Sequence, residues 1–270
     1  MTVINTNVSA LRAQNGSRMA NQQLQTAMER LSSGKRINSA KDDAAGLAIA
    51  ASMTSQITGM NQAIRNSNDG ISMAQTADGA LDEVTNMLQR VRELSVQASS
   101  GTYSASDKTN LQTEVTALAS QISSITSSTK FNGVNLFDGS AGTSGTVTIQ
   151  TGAGASDTVG IDLSALNLSA VNSVNLSTGA SAAIGSVDTL IGTVASKRAS
   201  LGASESRLNS VVNNLTTNVT NLSDARSRIE DADFGSETTA LAKAQILSQA
   251  STAMLAQANQ STQGVLKLIQ

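Results

Sequence analysis

Apolar residues recur along most of this chain at alternating intervals of three and four residues, the spacing that places them on one face of an α-helix. The pattern begins at Met53 and runs to Leu81, with polar residues at two of its positions, Ser67 and Asp78. At Leu81 the phase shifts, and the new phase is kept to the end of the segment. Because such a shift changes the local winding of a coiled coil without ending the helix, we predict one long helix over residues 45–100.

The next segment, residues 107–129, keeps the same heptad steps. Its apolar positions are Leu111, Val115, Leu118, Ile122 and Ile125. The first helix should end near Gly101, because glycine readily adopts the left-handed conformation that closes a helix. Ser106 or Asp107 can then cap the start of the second helix, since both side chains accept hydrogen bonds from free backbone N–H groups.

The longest regular pattern lies in the C-terminal third, where the alternation holds from Val187 to Ile229. Its charged positions are Arg198, Glu205 and Arg226. An apolar face of this length needs helical partners, and residues 45–100 and 107–129 supply them. The sequence therefore predicts a mainly α fold, with a long antiparallel helical bundle or coiled coil formed by the N- and C-terminal regions.

The segment between these helical regions has a different character. Two short β-branched runs, TVTIQT at 146–151 and TVGIDL at 158–163, are joined by GAGASD, a stretch of small and turn-forming residues. Runs of this kind separated by a turn-rich loop predict a β-hairpin. We therefore expect residues 140–185 to form a small hairpin followed by an irregular connection.

The two ends of the chain are rich in Gln, Asn, Ser, Thr and Ala. As isolated helices, residues 1–33 and 236–270 bury too little apolar surface to offset the entropy lost on ordering. We expect both ends to be weakly ordered in a single subunit and to become helical only when they pack against copies of themselves.

Acidic breaks interrupt the chain at similar distances from its two ends, at Asp42-Asp43 and at Asp231. Two arms of similar length, each bounded by such a break, are expected to lie side by side. The predicted parts are an inner arm domain of residues 1–44 with 230–270, a helical-bundle domain of residues 45–139 with 186–229, and residues 140–185, which belong to the bundle domain.

Composition and charge narrow the class of protein. Aromatic residues make up 1% of the chain and proline is absent, and the lack of proline suits long uninterrupted helices. The net charge of −2 gives no basic surface for nucleic acid or anionic lipid. No apolar run approaches the roughly 20 residues of a membrane span, and the N-terminus does not resemble a signal peptide. We expect no membrane span and, if the protein is secreted, a route that does not use a classical signal peptide.

The absence of His and Cys limits the chemistry that the chain can carry. It removes the commonest general base, the commonest metal ligand and the thiolate nucleophile, so we expect no enzyme activity, no metal and no other cofactor. The enzyme alternative is a hydrolase that uses the carboxylates of Asp42, Asp43, Glu230 and Asp231. A calcium loop that starts at Asp231 would need a glutamate at its twelfth position, which is Ala242.

Charged residues and glycine concentrate in LSSGKRINSAKDDAAGLAIA, residues 31–50. Gly34 can end the first arm, and Asp42 and Asp43 can lie at the start of the long helix, where the helix dipole favours acidic side chains. The predicted contacts join three basic residues to an acidic break, either within one subunit or between neighbours: Lys35, Arg36 and Lys41 with Glu230, Asp231 and Asp233. The cluster is therefore predicted to be a joint between an inner and an outer layer.

Several of these segments resemble bacterial flagellins. They are INTNVSALRAQN, ERLSSGKRINSAKDDAAGLAIA, the run from NQAIRNSNDG to LSVQAS, KFNGVNLFDG, LGASESRLNS, NLTTNVTNLSDARSRIEDADF and AKAQILSQASTAMLAQANQSTQGVLKLIQ. The resemblance covers nearly the whole chain apart from residues 140–185, so the chain looks like a short flagellin without large outer domains. It implies a structural subunit of the extracellular bacterial flagellar filament, used for motility and exported by the flagellar type III apparatus. In this family the terminal arms form the inner tube and the middle helices form the outer layer.

The resemblance also implies partners. Subunits polymerise with themselves, a flagellar export chaperone holds the C-terminal helix, and the filament cap and hook-junction proteins meet the ends of the filament. LQRVRELSVQ resembles the segment that a vertebrate innate immune receptor detects, which assigns that role to Arg90 and Leu94, with Glu114 and Arg207 as neighbours. Contacts between subunits are expected to be the main role of these charges, because charged groups at an interface fix its register.

The nearest alternative is a hook–filament junction protein, which shares helical ends but forms only a few copies per filament. The intact segments LSSGKRINSAKDDAAG and QANQSTQGVLKLIQ favour a flagellin. Polymerisation of the purified subunit on seed filaments distinguishes the two.

Overall fold

The structure is a computed structural model that describes residues 6–267, so residues 1–5 and 268–270 of the predicted arms lie outside it. The described residues form five α-helices: α1 (Val8–Ser33), α2 (Ala44–Ser99), α3 (Ala105–Ser128), α4 (Leu176–Glu230) and α5 (Phe234–Lys267). Four short strands and one 3-10 turn lie between α3 and α4: β1 (Lys130–Phe131), β2 (Val134–Asn135), β3 (Thr146–Gln150), β4 (Thr158–Asp162) and the turn Ser169–Ser173. The mainly α fold predicted from the sequence is confirmed.

The chain separates into two compact units. The arm unit comprises Met1–Ser55 and Asn221–Gln270, and the bundle unit comprises Gln56–Thr220. The units divide within α2 and α4, whereas the predicted domain boundaries, at residues 44/45 and 229/230, coincide with the ends of those helices. The assignment of these parts to an inner and an outer layer stays a prediction.

The core of the bundle unit is built by three helices whose apolar faces the sequence predicted. Its most deeply buried aliphatic side chains include Leu81, Val84, Leu88, Val91 and Leu94 of α2, Val115 and Ile122 of α3, and Val187, Val194, Leu201 and Leu208 of α4. Because α2 continues without a break through Leu81, the phase shift there changes which residues face the core and does not end the helix, as predicted.

Polar contacts between α2 and α4 keep a single antiparallel register in the bundle unit. The contacts are Arg92 to Asp188 at 2.6 Å, Arg198 to Asp82 at 2.7 Å and to Asp78 at 2.8 Å, and Gln75 to Glu205 at 2.8 Å. Between the Arg92–Asp188 contact and the Gln75–Glu205 contact, the residue number on α2 falls by the same amount as the residue number on α4 rises. The charged positions Arg198 and Glu205 of the predicted α4 face are therefore satisfied by partners on α2.

Two helix starts differ from the prediction. The cap of α3 is Ser104 rather than Ser106; its side chain accepts a hydrogen bond from the Asp107 N–H, and the Asp107 carboxylate accepts one from the Ser104 N–H. The predicted irregular connection through residue 185 is helical from Leu176 onward, apart from a non-helical kink at Gly179. Small apolar residues, Ala180 and Ala183, continue the buried face of α4 there and pack against the core.

The predicted hairpin is confirmed as β3 and β4, which pair antiparallel with Thr146 opposite Asp162 and Gln150 opposite Thr158. A second hairpin, β1 with β2, was not predicted. Its turn is Asn132-Gly133, where both residues have positive φ, 47° and 82°, the requirement of a type I′ turn that Asn-Gly meets.

In the arm unit, α1 and α5 pair antiparallel through small side chains. Ala20, Ala27, Ala244 and Ala258 are buried. The backbones come close at Gly16, where an added Cβ atom would lie 3.3 Å from the Ser251 hydroxyl oxygen. Both arms are helical in the structure, where α1 and α5 pack against each other. The expectation that the arms are weakly ordered in a free subunit stays a prediction.

Candidate functional site

The chain that leaves α1 is fixed by main-chain hydrogen bonds to the end of α4, within the arm unit. Gly34 closes α1 in the left-handed conformation, with φ of 71°, and its N–H donates to the carbonyl of Arg30 at 2.9 Å. The Arg36 N–H then donates to the carbonyl of Glu230 at 2.7 Å, and the Ala232 N–H donates to the carbonyl of Gly34 at 3.0 Å. We call residues 34–43 together with 229–233 the joint.

The basic residues of the joint have three different environments. Lys35 forms an ion pair with Glu230 of the same chain, as predicted. The Arg36 guanidinium donates to the carbonyl of Ile229 at 2.6 Å, and a cation is favourable there because free carbonyl groups end the helix. Lys41 forms no ion pair with any side chain that the structure describes. Lys35 and Arg36 therefore contact the end of α4, and of the three basic residues only Lys35 pairs with a carboxylate among the described residues.

The acidic residues of the N-terminal half of the joint cap backbone groups. The Asp42 carboxylate accepts hydrogen bonds from the backbone N–H groups of Ser39 and Asn38 and from the Ser39 hydroxyl, and these bonds lower its pKa. The Asp43 carboxylate accepts from the Gly46 N–H at 2.8 Å, at the start of α2. Asp43 therefore caps the start of α2 as predicted, whereas Asp42 caps the turn that precedes this helix.

The acidic residues that follow α4 are also engaged. The Asp231 carboxylate accepts from the Ser227 hydroxyl at 2.6 Å, and the Asp233 carboxylate accepts from the Gly235 N–H at 2.9 Å at the start of α5. Within residues 6–267 no group of three or more His, Cys, Asp or Glu side chains is arranged to hold a metal ion. No helix of that range is long and apolar enough to cross a membrane.

The residues assigned to receptor recognition occupy different surroundings in the bundle unit. Arg90 donates to Glu114 of α3 at 2.8 Å and to Glu93 at 3.1 Å, so Arg90 and Glu114 form one exposed charged pair. Leu94 is only 1% exposed. Leu94 therefore packs in the core of the folded bundle, and its role in receptor recognition stays a prediction. Arg207 is exposed on α4, beside a shallow apolar hollow that includes Val159 and Val211.

Most of the large exposed apolar side chains of the arm unit lie on the two helices that bury alanine between them; Ile49 of α2, 48% exposed, is an exception. We define the apolar arm surface as Val8, Leu11, Met19 and Met28 of α1 with Phe234, Ile246, Leu247 and Met254 of α5, which are between 41% and 70% exposed. Met19 and Met28 are nine residues apart, which places them on opposite sides of α1, so these side chains are spread around the α1–α5 pair. The small residues of α1 and α5 thus face each other, and the larger ones remain available to a partner.

Comparison with known protein families finds a match at each helical end of the chain. Residues 4–142 match the bacterial flagellin N-terminal helical region, and residues 184–269 match the bacterial flagellin C-terminal helical region. The chain belongs to the flagellin family. It is 44% identical to a flagellin of Halalkalibacterium halodurans over 99% of both chains, and 41% identical to a flagellin of Bacillus subtilis over 98% of this chain and 99% of that one.

Solved structures agree with this family. The crystal structure of Bacillus cereus flagellin is similar with a TM-score of 0.51 and 32% identity, over 60% of this chain and 94% of that chain. A structure of a putative flagellar hook-associated protein from Vibrio parahaemolyticus has a TM-score of 0.61 over 70% of this chain and 100% of that chain. Its identity is 14%, so this likeness concerns the fold alone and does not favour the junction-protein alternative.

As a flagellin, the chain is a structural subunit of the extracellular bacterial flagellar filament and is not an enzyme. The carboxylates of the hydrolase alternative serve other purposes: Asp42 and Asp43 bind backbone N–H groups, Glu230 pairs with Lys35, and Asp231 binds a serine hydroxyl. Membership of the flagellin family also confirms the self-assembly into filaments that was predicted from the sequence.

Proposed function

We propose that this flagellin builds its filament in two layers, with α1 and α5 inside and the helical bundle outside. The observation that carries the proposal is the apolar arm surface, whose side chains reach 70% exposure at Phe234 and 66% at Ile246. Full burial of one large apolar side chain contributes about 1.5–3 kcal/mol. Copies of the same surface, packed around one another, supply the burial that the α1–α5 pair leaves incomplete.

The geometry of such contacts favours a filament over a closed ring. An interface between two different patches of neighbouring subunits repeats without limit when its rotation does not close, and the product is an open helical polymer. The apolar arm surface extends over both α1 and α5, so each subunit can offer different patches to different neighbours.

The proposed role of the joint is to hold the ends of the two arms together while neighbours pack on them. Its eight charged residues are Lys35, Arg36, Lys41, Asp42, Asp43, Glu230, Asp231 and Asp233. Most of them are engaged within the chain, and the exposed Lys41 is the cation that remains for a neighbouring subunit.

A Lys35→Met variant tests this role, with Lys41→Met as the matched control. Lys35→Met removes the ion pair with Glu230 and is expected to weaken the arm unit by less than about 1 kcal/mol, because the ammonium is half-exposed. Lys41→Met should leave the stability of the subunit unchanged. Thermal unfolding followed by circular dichroism measures the stability of both variants. An equal loss of stability in the two would show that the Lys35–Glu230 ion pair does not stabilise the arm unit.

The same arm surface suits the partners implied by the family. We propose that an export chaperone covers Ile246, Leu247 and Met254 of α5 before assembly, because these side chains are exposed in the free subunit. The filament cap and hook-junction proteins would replace a neighbouring subunit at the ends of the filament. A vertebrate innate receptor, where one is met, would contact the exposed Arg90–Glu114 pair, with Arg207 as a further contact.

Seeded polymerisation tests the proposed function. The variant Ile246→Gln with Met254→Gln is expected to lower the rate of elongation about tenfold or more, because each polar amide must lose water on entering an apolar interface. Gln245→Ala, at an exposed polar position of α5, is the matched control and should elongate normally. Normal elongation by the double variant, with its helical content unchanged, would refute the inner placement of α5.

A further inference from the structure

The most exposed methionines of the described residues lie in the arm unit, where Met53 is half-buried. Met19, Met28 and Met254 are 62%, 56% and 63% exposed, and all three belong to the apolar arm surface. In the bundle unit Met73 is 7% exposed, and Met60 and Met87 are half-buried. The side chains that water and small solutes reach most easily are therefore the same ones that the filament is proposed to bury.

Of the exposed methionines among the described residues, Met19 and Met254 line grooves between α1 and α5. Met19 lines a groove of about 450 Å³ together with Arg30, Glu237 and Lys243. Met254 lines a second groove, of about 390 Å³, whose walls include Gly16 and Leu247. A change of polarity at either thioether therefore changes the edge of a groove that a neighbouring subunit would cover.

The chemistry of the chain directs oxidation to these sulfur atoms. The sequence has no Cys, so the thioethers of methionine are its only sulfur groups, and it has no Trp. A peroxide transfers one oxygen atom to the sulfur: the O–O bond breaks, an S–O bond forms, the sulfur is oxidised and hydrogen peroxide is reduced to water. The product, a sulfoxide, is polar and disrupts apolar interfaces, and methionine sulfoxide reductases reverse the step.

We propose that Met19, Met28 and Met254 form an oxidation site that controls assembly. Peroxide oxidises these residues in the free subunit, and an oxidised subunit joins the filament poorly because its sulfoxides would be buried among apolar neighbours. In the filament the same three residues are shielded from peroxide. This inference rests on the proposed function, since it requires that neighbouring subunits bury the apolar arm surface.

The test uses the purified full-length subunit and hydrogen peroxide. Peptide mass spectrometry should find one added oxygen atom first on Met19, Met28 and Met254 and last on Met73. The oxidised subunit should elongate seed filaments about tenfold more slowly than the untreated subunit, and a methionine sulfoxide reductase with its reductant should restore the rate. Unchanged elongation by the oxidised subunit would overturn the proposal.

Leucine variants separate the site from general damage by peroxide. The triple variant Met19→Leu, Met28→Leu, Met254→Leu keeps apolar side chains of similar volume, so it should elongate at the same rate before and after peroxide. Met73→Leu, the matched control, should lose elongation after peroxide as the unchanged chain does. Equal loss by the triple variant would place the damage elsewhere and overturn the proposal. If the triple variant elongates poorly without peroxide, the reductase experiment on the unchanged chain decides.

Peroxide treatment of assembled filaments distinguishes failure of this proposal from failure of the proposed function. Slow oxidation of the three methionines in the filament, combined with normal elongation by oxidised subunits, would reject the oxidation control and leave the proposed function standing. Oxidation as fast in the filament as in the free subunit would show that neighbours do not bury this surface, and both proposals would fail.

Discussion

Replacing either member of the Lys197–Asp162 pair should have unequal effects on the stability of the bundle unit. The Lys197 ammonium donates to Asp162 at 2.9 Å and to the Ser164 hydroxyl at 2.8 Å, and so fixes the end of the hairpin to α4. The Lys197 side chain is 9% exposed, whereas that of Asp162 is 48% exposed. One charge is therefore buried and the other is hydrated.

The expected magnitudes follow from this asymmetry. Breaking a fully buried ion pair by removing one partner costs about 3–5 kcal/mol, because the remaining charge has no compensation. Asp162→Ala leaves the buried ammonium with only the Ser164 hydroxyl, and we expect a loss of about 2 kcal/mol, below that range because Asp162 is half-exposed. Lys197→Met removes the buried charge and keeps most of the side-chain volume, so its loss should be below about 1 kcal/mol.

Urea unfolding of the purified subunit, followed by circular dichroism, measures both effects. The double variant Asp162→Ala with Lys197→Met should be more stable than Asp162→Ala alone, because no unpaired charge remains in the core. The reasoning would be refuted if Lys197→Met were the more damaging single change, or if the second substitution gave no recovery. Asp157→Ala, in the loop of the same hairpin, is the control, because it measures how much stability is lost when another carboxylate of the hairpin is removed.

Three further predictions concern other parts of the bundle unit. Leu88→Ala, at a side chain with no exposure, should lower the free energy of unfolding by about 2–5 kcal/mol in urea titrations; a loss below 1 kcal/mol would contradict the core assignment. Ser104→Ala should cost about 1 kcal/mol by removing the cap of α3, whereas Ser106→Ala should change stability little, as thermal unfolding can show. The pKa values of Asp138 and Asp162 are lowered from 3.8 to about 2, chiefly by hydrogen bonds from Ser140 and Lys197. Their contribution is complete above pH 3.8 and is lost as the pH falls through about 2; a pH titration of the unfolding midpoint in which acid does not destabilise the bundle would contradict this.

The long helices could be predicted because their signal is repeated many times along the chain. The alternation from Val187 to Ile229 and the phase shift at Leu81 both correspond to buried faces of α4 and α2. Two local features were also readable but were missed: the Ser104-to-Asp107 spacing of a capping box, and the Asn132-Gly133 pair of a type I′ turn. The burial of Leu94 follows from its place in the same phase as Val91.

Other features depend on contacts that a single sequence does not specify. The acceptor of Arg36 is a main-chain carbonyl at the end of α4, and a pattern of charges cannot reveal it. The helical start of α4 around Ala180 and Ala183 uses small residues that also suit a loop. The pairing of α1 with α5 depends on how closely backbones approach at Gly16. In each case the tertiary fold, rather than local propensity, decides the outcome.

An image reconstruction of the assembled filament at side-chain resolution tests the central claim most directly. The account predicts that α1 and α5 of neighbouring subunits pack together, so that Met19, Ile246 and Met254 lose most of the exposure they have in the single chain. It would be contradicted by a filament in which these side chains face solvent and the subunits are joined through the helical bundle alone.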